Sequence, residues 1–141
     1  MFNMIVVGAD DSLTARRATE AAVELAIMSS ATLHIVSAYD KSTVPPGDLV
    51  SEFRNTGHTS GGEALLQALS SLAESKGIVP YVHSVYGDPV DAIISTANRV
   101  RADLIVVGNK GMKGVRRVLG SVPNSVMHRA YCSVAIIDTA E

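Results

Sequence analysis

LIVVGNKGMKGVRRVLGS, residues 104–121, is the stretch that decides how this chain of 141 residues folds. Its apolar start, Leu104–Val107, predicts a buried strand, and the segment 122–130 behind it predicts a helix capped by Ser121. Residues 108–121 between them hold four glycines and four Lys or Arg side chains but no acid, although the whole chain has a formal net charge of -2. Glycines let backbone N–H groups approach an anion, and a helix N-terminus adds partial positive charge. The stretch therefore favours a phosphate site.

The same loop also permits a plainer interpretation, in which the glycines only make a turn and the cations are solvated. It is not a Walker A loop, because no Gly-Lys-Ser/Thr closes it. It is not the dinucleotide fingerprint either, because the glycine spacing differs and the loop lies late in the chain. Its function has to be inferred from the rest of the sequence.

The composition is that of one globular domain covering residues 1–141, with 47% hydrophobic and 18% charged residues. The absence of Trp, the two Phe and the near-neutral charge argue against a nucleic-acid partner. No apolar run approaches ~20 residues, so no membrane span is predicted. The start of the sequence lacks the pattern of a signal peptide, and the single cysteine, Cys132, is expected to be a small buried side chain. These features favour the cytoplasm.

Strands and helices alternate along the chain. The predicted strands are 4–8, 32–39, 78–86, 102–107 and 133–138, and the predicted helices are 14–29, 62–76, 89–99 and 122–130. The strands are continuous apolar runs, which indicates an α/β fold with an open parallel sheet and helices on both faces. Pro80 argues that the third strand lies at an edge. Residues 40–60 predict a long connection, with a helical turn at 48–54, that suits a lid or a partner surface.

Two strands end in unusual polar chemistry: the first in Gly8-Ala9-Asp10, the fourth in Gly108-Asn109-Lys110-Gly111. Ligands of open parallel sheets bind at the carboxyl ends of strands where the winding reverses. If these strands are neighbours, Asp10 can accept hydrogen bonds from ribose while the loop holds phosphates, as in a nucleotide site. Asp10 as a helix cap alone is the other interpretation. His34 and His83 lie inside predicted strands with no metal-ligand spacing, and they are assigned no functional role.

The chain resembles the universal stress protein family over nearly its full length. The resemblance rests on Ile5–Asp10, Gly87-Asp88-Pro89, Ala102–Gly108 and, most specifically, Gly120–Val126. ATP-binding members share the pattern Gly, two residues, Gly, about nine residues, Gly, then Ser or Thr. This chain has Gly108, Gly111 and Gly120-Ser121, with eight residues between the last two glycines. It also has Asp11 where many members have Gly, which adds a negative charge near the phosphates or helps to hold a metal ion with them.

The resemblance implies a nucleotide site and assigns its residues. Gly8, Ala9 and Asp10 would contact the nucleoside, Ala38 the adenine, Gly108–Gly114 the ribose and phosphates, and Ser121 and Val122 the phosphate oxygens. The full predicted set is Gly8, Ala9, Asp10, Ala38, Gly108, Asn109, Lys110, Gly111, Met112, Lys113, Gly114, Gly120, Ser121, Val122 and Pro123. Charge alone adds the suggestion that Lys110, Lys113 and Arg116 screen the phosphates. No catalytic or metal-ligand set is predicted.

The resemblance also implies a Rossmann-like sheet of order 3-2-1-4-5 and a homodimer. In that order the fifth strand is an exposed edge with an apolar sequence, Val134–Ile137, and such an edge needs cover. The family pairs this strand across a dimer, so the partner expected there is a second copy of the chain.

The leading hypothesis is therefore an ATP-binding stress-response protein that senses or buffers nucleotide. The ATP would bind with or without a Mg²⁺ ion on its phosphates. It is not predicted to be an enzyme, although weak ATP hydrolysis or autophosphorylation is compatible with the family. The alternatives are a member that binds cyclic AMP or AMP, an adenylating enzyme of this architecture, and a structural partner protein with an empty pocket.

Overall fold

Five parallel strands form one sheet in the order β3-β2-β1-β4-β5. The computed structural model describes residues 1–9, 13–39, 61–110 and 119–139. The strands are β1 Met4–Ala9, β2 Thr32–Tyr39, β3 Tyr81–Tyr86, β4 Leu104–Asn109 and β5 Ser133–Asp138, and the helices described are α1 Leu13–Ser29, α2 Gly61–Ser75, α3 Pro89–Val100 and α4 Ser121–Arg129. The predicted fold class and strand order are confirmed. The helical turn predicted at 48–54 lies outside the described residues.

Both faces of the sheet are buried, which explains why the strands are apolar throughout. Successive side chains of a strand point to opposite faces. Ile5 and Val7 pack in the core under α1 and α2. Val6 packs in a second core under α3 and α4 with Val36 and Ile105. An alternating strand would leave one of these helix layers without an apolar partner, so the continuous runs are what a two-faced sheet requires.

Two strands begin later than predicted because their first residues finish the preceding helix. Ile78 donates its N–H to the Ala73 carbonyl at 3.0 Å, after Gly77 has turned the chain with a φ of 97°. Pro80 then has no N–H to give to a ladder. In the same way, Ala102 donates to the Ala97 carbonyl at 2.8 Å. The prediction that Pro80 marks an edge strand is confirmed, because β3 is the first strand of the sheet.

Asp103 ties the start of β1 to the start of β4 instead of extending the strand. Its carboxylate accepts the N–H of Asn3 at 2.8 Å and that of Met4 at 2.9 Å. Its own N–H donates to the Met4 carbonyl at 2.9 Å. These bonds fix the register in which Ile5 lies beside Leu104 and Val7 beside Val106. The ends of β1 and β4 are thereby held side by side.

β1 and β4 are neighbours at the point where the winding of the sheet reverses. From β1 the chain moves outward to β2 and β3, and it then returns to β4 on the other side of β1. The crevice between the carboxyl ends of such strands is where open α/β sheets bind ligands. The fold therefore brings Gly8 and Ala9 next to Gly108 and Asn109. No helix among the described residues is long and apolar enough to cross a membrane.

Candidate functional site

A cavity of about 300 Å³ opens at the carboxyl ends of β1 and β4. This volume lies at the lower end of the range of about 300–1,000 Å³ typical of small-molecule sites. The cavity is lined by Gly8, Ala9, Thr14, Val36, Ala38, Pro89, Ile93, Val107, Gly108, Asn109, Lys110, Gly120, Ser121, Val122 and Pro123. Two glycine-containing strand ends, the start of α3 and the start of α4 therefore surround one space.

Most of the described residues in the predicted set meet at this cavity. Those lining it are Gly8, Ala9, Ala38, Gly108, Asn109, Lys110, Gly120, Ser121, Val122 and Pro123. The remaining predicted residues, Asp10, Gly111, Met112, Lys113 and Gly114, lie outside the described part of the chain. The cavity thus joins strand ends that are about a hundred residues apart in the sequence.

Five lining residues were not predicted: Thr14, Val36, Pro89, Ile93 and Val107. Pro89 and Ile93 come from the first two turns of α3, which runs directly from the end of β3. Asp88 caps this helix by accepting the Asp91 N–H at 3.1 Å. The sequence Gly87-Asp88-Pro89 predicted where this helix begins. A helix that begins directly after the carboxyl end of a strand lies at the ligand-binding edge of a parallel sheet, and this was the signal that could have placed Pro89 and Ile93 at the site.

The start of α4 differs from the prediction, because Gly120 rather than Ser121 is its N-cap. Gly120 has an extended φ of -61° and ψ of 163°, and no side chain of its own caps the helix. Ser121 is therefore the first helical residue, and its hydroxyl is not the predicted cap. The helix ladder begins with the Asn124 N–H, which donates to the Gly120 carbonyl at 3.0 Å. Pro123 has no N–H.

The N–H groups of Ser121 and Val122 have no acceptor within α4, since the first residues of any helix lack partners one turn back. They lie at the positive end of the helix dipole. Lys110 is exposed at the mouth of the same cavity. Over the described ranges, Lys110 is the only charged side chain in the lining, and no acid faces it. This side of the cavity is suited to an anion.

The opposite walls are apolar. Val36 and Ala38 come from β2, Val107 from β4, and Ile93 from α3. Ile93 is only 5% exposed, so it belongs to the core as well as to the cavity. A ligand with a flat apolar part and one anionic end fits this division of the lining.

Close packing explains two of the glycines at the site. A Cβ on Gly8 would collide with the Cδ1 atom of Ile93, and one on Gly108 would lie 2.8 Å from the Cγ2 atom of Thr139. Gly8 therefore lets α3 approach β1, and Gly108 lets the residue after β5 pack beneath β4. Both glycines would be required by packing whether or not a ligand binds.

A model of the universal stress protein family matches residues 1–138 of this chain. The chain belongs to that family. A universal stress protein of Mycobacterium tuberculosis is 33% identical over 98% of this chain and 97% of its own length. One of Bacillus subtilis is 31% identical over 97% of this chain and 99% of its own length.

Solved universal stress proteins share the fold. One, solved in complex with cAMP, has a TM-score of 0.76 at 33% identity and covers 99% of each chain. Another, from Archaeoglobus fulgidus in complex with dAMP, has a TM-score of 0.68 at 25% identity, over 96% of this chain and 97% of that one. The family and the fold inferred from the motifs are therefore confirmed.

This universal stress protein also has a histidine pair that the sequence spacing did not reveal. The Nδ1 atom of His34 lies 2.9 Å from the Nε2 atom of His83. The other nitrogen of His34 lies 3.0 Å from the Met4 sulfur, and the Arg99 guanidinium lies 3.3 Å from the Nδ1 atom of His83. The ring of His34 stacks on Tyr81, with centroids 5.1 Å apart. The two histidines come from adjacent strands, β2 and β3.

Both histidines have a pKa below the ordinary value of 6.5. Burial lowers the pKa of His34, and the neighbouring His83 and Arg99 lower it further. Burial and then Arg99 lower the pKa of His83. Within the described ranges, no group of three His, Cys, Asp or Glu residues could hold a metal ion. The contacts of the pair with Met4, Tyr81 and Arg99 tie β2 to its neighbours on the sheet and β3 to α3.

Acid should destabilise the protein through this pair. The folded-state pKa values lie below the ordinary value of 6.5, so between them and 6.5 the unfolded chain binds more protons. The free energy of unfolding should therefore fall as pH drops through about 6.5, and the effect should level off below the folded-state pKa values. Urea denaturation between pH 7.5 and 5 measures it. His83→Gln should flatten this dependence, and an unchanged slope in that variant would show that other groups cause it.

Proposed function

We propose that this universal stress protein binds an adenine nucleotide in the cavity at the ends of β1 and β4. The observation that carries the proposal is that apolar walls and a helix N-terminus open on the same space. Val36, Ala38 and Ile93 supply surfaces against which a purine ring can pack, and the N–H groups of Ser121 and Val122 supply donors for a phosphate. Lys110 adds a positive charge at the mouth.

Solved relatives support this proposal. The universal stress proteins solved in complex with cAMP and with dAMP are 33% and 25% identical to this chain. Each of these two ligands has an adenine base and one phosphate. Both structures match this chain over nearly its whole length, at 99% and 96% coverage, with TM-scores of 0.76 and 0.68. Asp10, which the resemblance assigns to the ribose, would complete the nucleoside end.

For the physiological nucleotide we favour ATP, and for the role we favour sensing or buffering of nucleotide during stress. Residues 108–121 carry four cationic side chains and no acid, which is more positive charge than one phosphate needs. Mg²⁺ would accompany the triphosphate, with Asp10 and Asp11, which follow the first strand, as the carboxylates that help to hold it. The protein would act in the cytoplasm.

Binding rather than catalysis is proposed because the lining offers no reactive pair. Over the described residues, the cavity is lined by no His, Cys or carboxylate that could act as a base for Ser121 or Thr14. The one cysteine, Cys132, is partly buried beyond the last residue of α4 and does not line the cavity, and burial raises the pKa of its thiol. A bound nucleotide would be held rather than cleaved.

Cyclic AMP is the second candidate, and the solved structure at 33% identity in complex with cAMP favours it. A cavity of about 300 Å³ is small for a site of this class, which suits a nucleotide with a single compact phosphate. The loop, one residue shorter than the ATP-binding pattern, agrees with this candidate.

Calorimetric titration of nucleotide-stripped protein with ATP, AMP and cAMP, each with and without Mg²⁺, tests the proposal. ATP binding strengthened by Mg²⁺ is the expected result. A clear preference for cAMP would overturn the ATP assignment and keep the adenine-nucleotide site. Absence of binding by all three would overturn the site itself.

A homodimer through β5 is part of the same proposal. The apolar side chains of β5 are only half-buried at the sheet edge, and Tyr131 beside the strand is 90% exposed. Strand pairing with a second copy would cover this edge. Sedimentation equilibrium of the full chain should therefore give twice the mass of 14.8 kDa.

A further inference from the structure

Asn109 is the last residue of β4, and two hydrogen bonds hold it to neighbouring elements. Its carbonyl accepts the Thr139 N–H at 3.1 Å, which holds it to the end of β5. Its side-chain Oδ1 accepts the Gly120 N–H at 2.9 Å, which holds it to the N-cap of α4. The residue is only 4% exposed. Its Oδ1 atom is therefore committed to the protein, although Asn109 also lines the cavity.

The bond to Gly120 joins the two ends of the phosphate loop. Asn109 and Gly120 are 11 residues apart, and one side-chain hydrogen bond spans this distance. That bond fixes where α4 begins relative to β4. A Cβ on Gly120 would lie 3.3 Å from the same Oδ1 atom, so a larger residue at position 120 would press on this bond.

The bond also decides which helix donors face the cavity. An N-cap residue normally satisfies an orphan N–H with its own side chain, and Gly120 has none. Asn109 instead takes the Gly120 N–H from a different element. Ser121 and Val122, the next two residues, are left as the N–H groups at the cavity wall. Their direction is set by the point at which Asn109 anchors the helix.

We infer that Asn109 is a positioning residue, which sets the phosphate-binding end of α4 by holding the Gly120 N–H and does so without binding the nucleotide itself. This inference rests on the proposed nucleotide site and adds to it the residue that keeps the site preformed. Preorganised donors bind an anion more tightly because they need no rearrangement when it arrives. The family resemblance, in contrast, places Asn109 among the residues that wrap the ligand.

The test compares Asn109→Ala, Asn109→Asp and a control, Asn98→Ala, which removes an exposed asparagine of α3. Two quantities are measured: the affinity for AMP by calorimetry, and the hydrogen-exchange rate of the Gly120 amide by NMR without ligand. Asn109→Ala should lower the AMP affinity about tenfold and speed Gly120 exchange by a similar factor, as the loss of one hydrogen bond to a buried group predicts. The control should change neither.

Asn109→Asp separates positioning from contact, because it keeps an oxygen acceptor for Gly120 and adds a negative charge. Slow Gly120 exchange should be retained in this variant. AMP affinity should fall, since the new charge repels phosphate, while affinity for uncharged adenosine should stay close to that of the wild type. Calorimetry with adenosine measures this second arm.

Two outcomes would overturn the inference. One is an Asn109→Ala variant that loses AMP affinity while Gly120 exchange stays slow, which would make Asn109 a direct ligand contact. The other is faster exchange with unchanged AMP affinity, which would make the bond purely structural. Failure of the wild type to bind AMP would instead count against the proposed function, and the exchange rates would still show whether Asn109 holds Gly120.

Discussion

Replacing Gly120 with valine should lower the affinity for adenine nucleotides about 10- to 100-fold while leaving the protein folded. A Cβ at this position would lie 3.3 Å from Asn109 Oδ1 and 3.5 Å from the Pro123 ring. The two methyl groups of valine extend further and push the start of α4 away from β4. Each lost hydrogen bond to a charged group is worth about 1.5–3 kcal/mol, and about 1.4 kcal/mol is a tenfold change in affinity.

The cause of this loss would be steric and not a strained backbone. Gly120 has a φ of -61° and a ψ of 163°, which any residue can adopt. Gly120→Ala should therefore cost less than about tenfold, because the neighbours need to give by only a few tenths of an ångström. The graded series glycine, alanine, valine is what distinguishes crowding from loss of glycine flexibility.

Calorimetry with AMP and ATP measures the affinities, and thermal unfolding confirms that the variants are folded. Gly77→Asn is the matched control. Gly77 lies in open space after α2 and does not line the cavity. Its φ of 97° is one that side chains rarely adopt, so this substitution should lower stability without lowering nucleotide affinity. Wild-type affinity in Gly120→Val would refute a phosphate site at the start of α4.

Much of this fold could be predicted because local and global signals agree. Continuous apolar runs predicted a sheet buried on both faces, and Pro80 predicted the edge position of β3. The first residues of β3 and β4 were placed wrongly, because Ile78 and Ala102 bond back to the preceding helices. Their apolar side chains look the same in a strand and in a helix-ending turn, so periodicity cannot separate the two.

The site was partly predictable for a related reason. Glycines, Ser121 and Lys110 predict a phosphate site by their composition, but Ile93 looks like any other core residue of an amphipathic helix. Its place in the cavity depends on how closely α3 approaches β1. The histidine pair was missed because His34 and His83 are 49 residues apart and meet only through the pairing of β2 with β3. Sequence reveals chemistry within a segment more readily than contacts between segments.

Replacing Gly8 with alanine should lower the free energy of unfolding by about 1–3 kcal/mol, the usual cost of overpacking a core. The new methyl group would collide with Ile93 Cδ1 and lie 3.0 Å from Ile93 Cγ1. Ile93 is only 5% exposed but also lines the cavity, so the collision can be relieved in two ways. Either the Cδ1 atom turns into the cavity or α3 shifts away from β1, and each of these changes one wall of the cavity.

A double-mutant cycle with Ile93→Val isolates this collision, because valine lacks the Cδ1 atom. Ile93→Val alone should cost about 0.5–1.5 kcal/mol, as a buried methyl deletion does. In the Gly8→Ala background it should cost less or restore stability, giving a coupling of about 0.5–3 kcal/mol between the two sites. Any effect of alanine on the unfolded chain cancels, since it enters both Gly8→Ala arms of the cycle.

Urea denaturation of the four proteins measures this coupling, and Ile5→Val provides the control. Ile5 is as buried as Ile93, but it lies in the core under α1 and α2, on the opposite face of the sheet. Its methyl deletion should add to Gly8→Ala within about 0.3–0.5 kcal/mol. Additivity with Ile93→Val as well would mean that Ile93 gives way without cost. In that case the packing of α3 would not require a glycine at position 8, and the presence of Gly8 would have to be explained by the cavity itself.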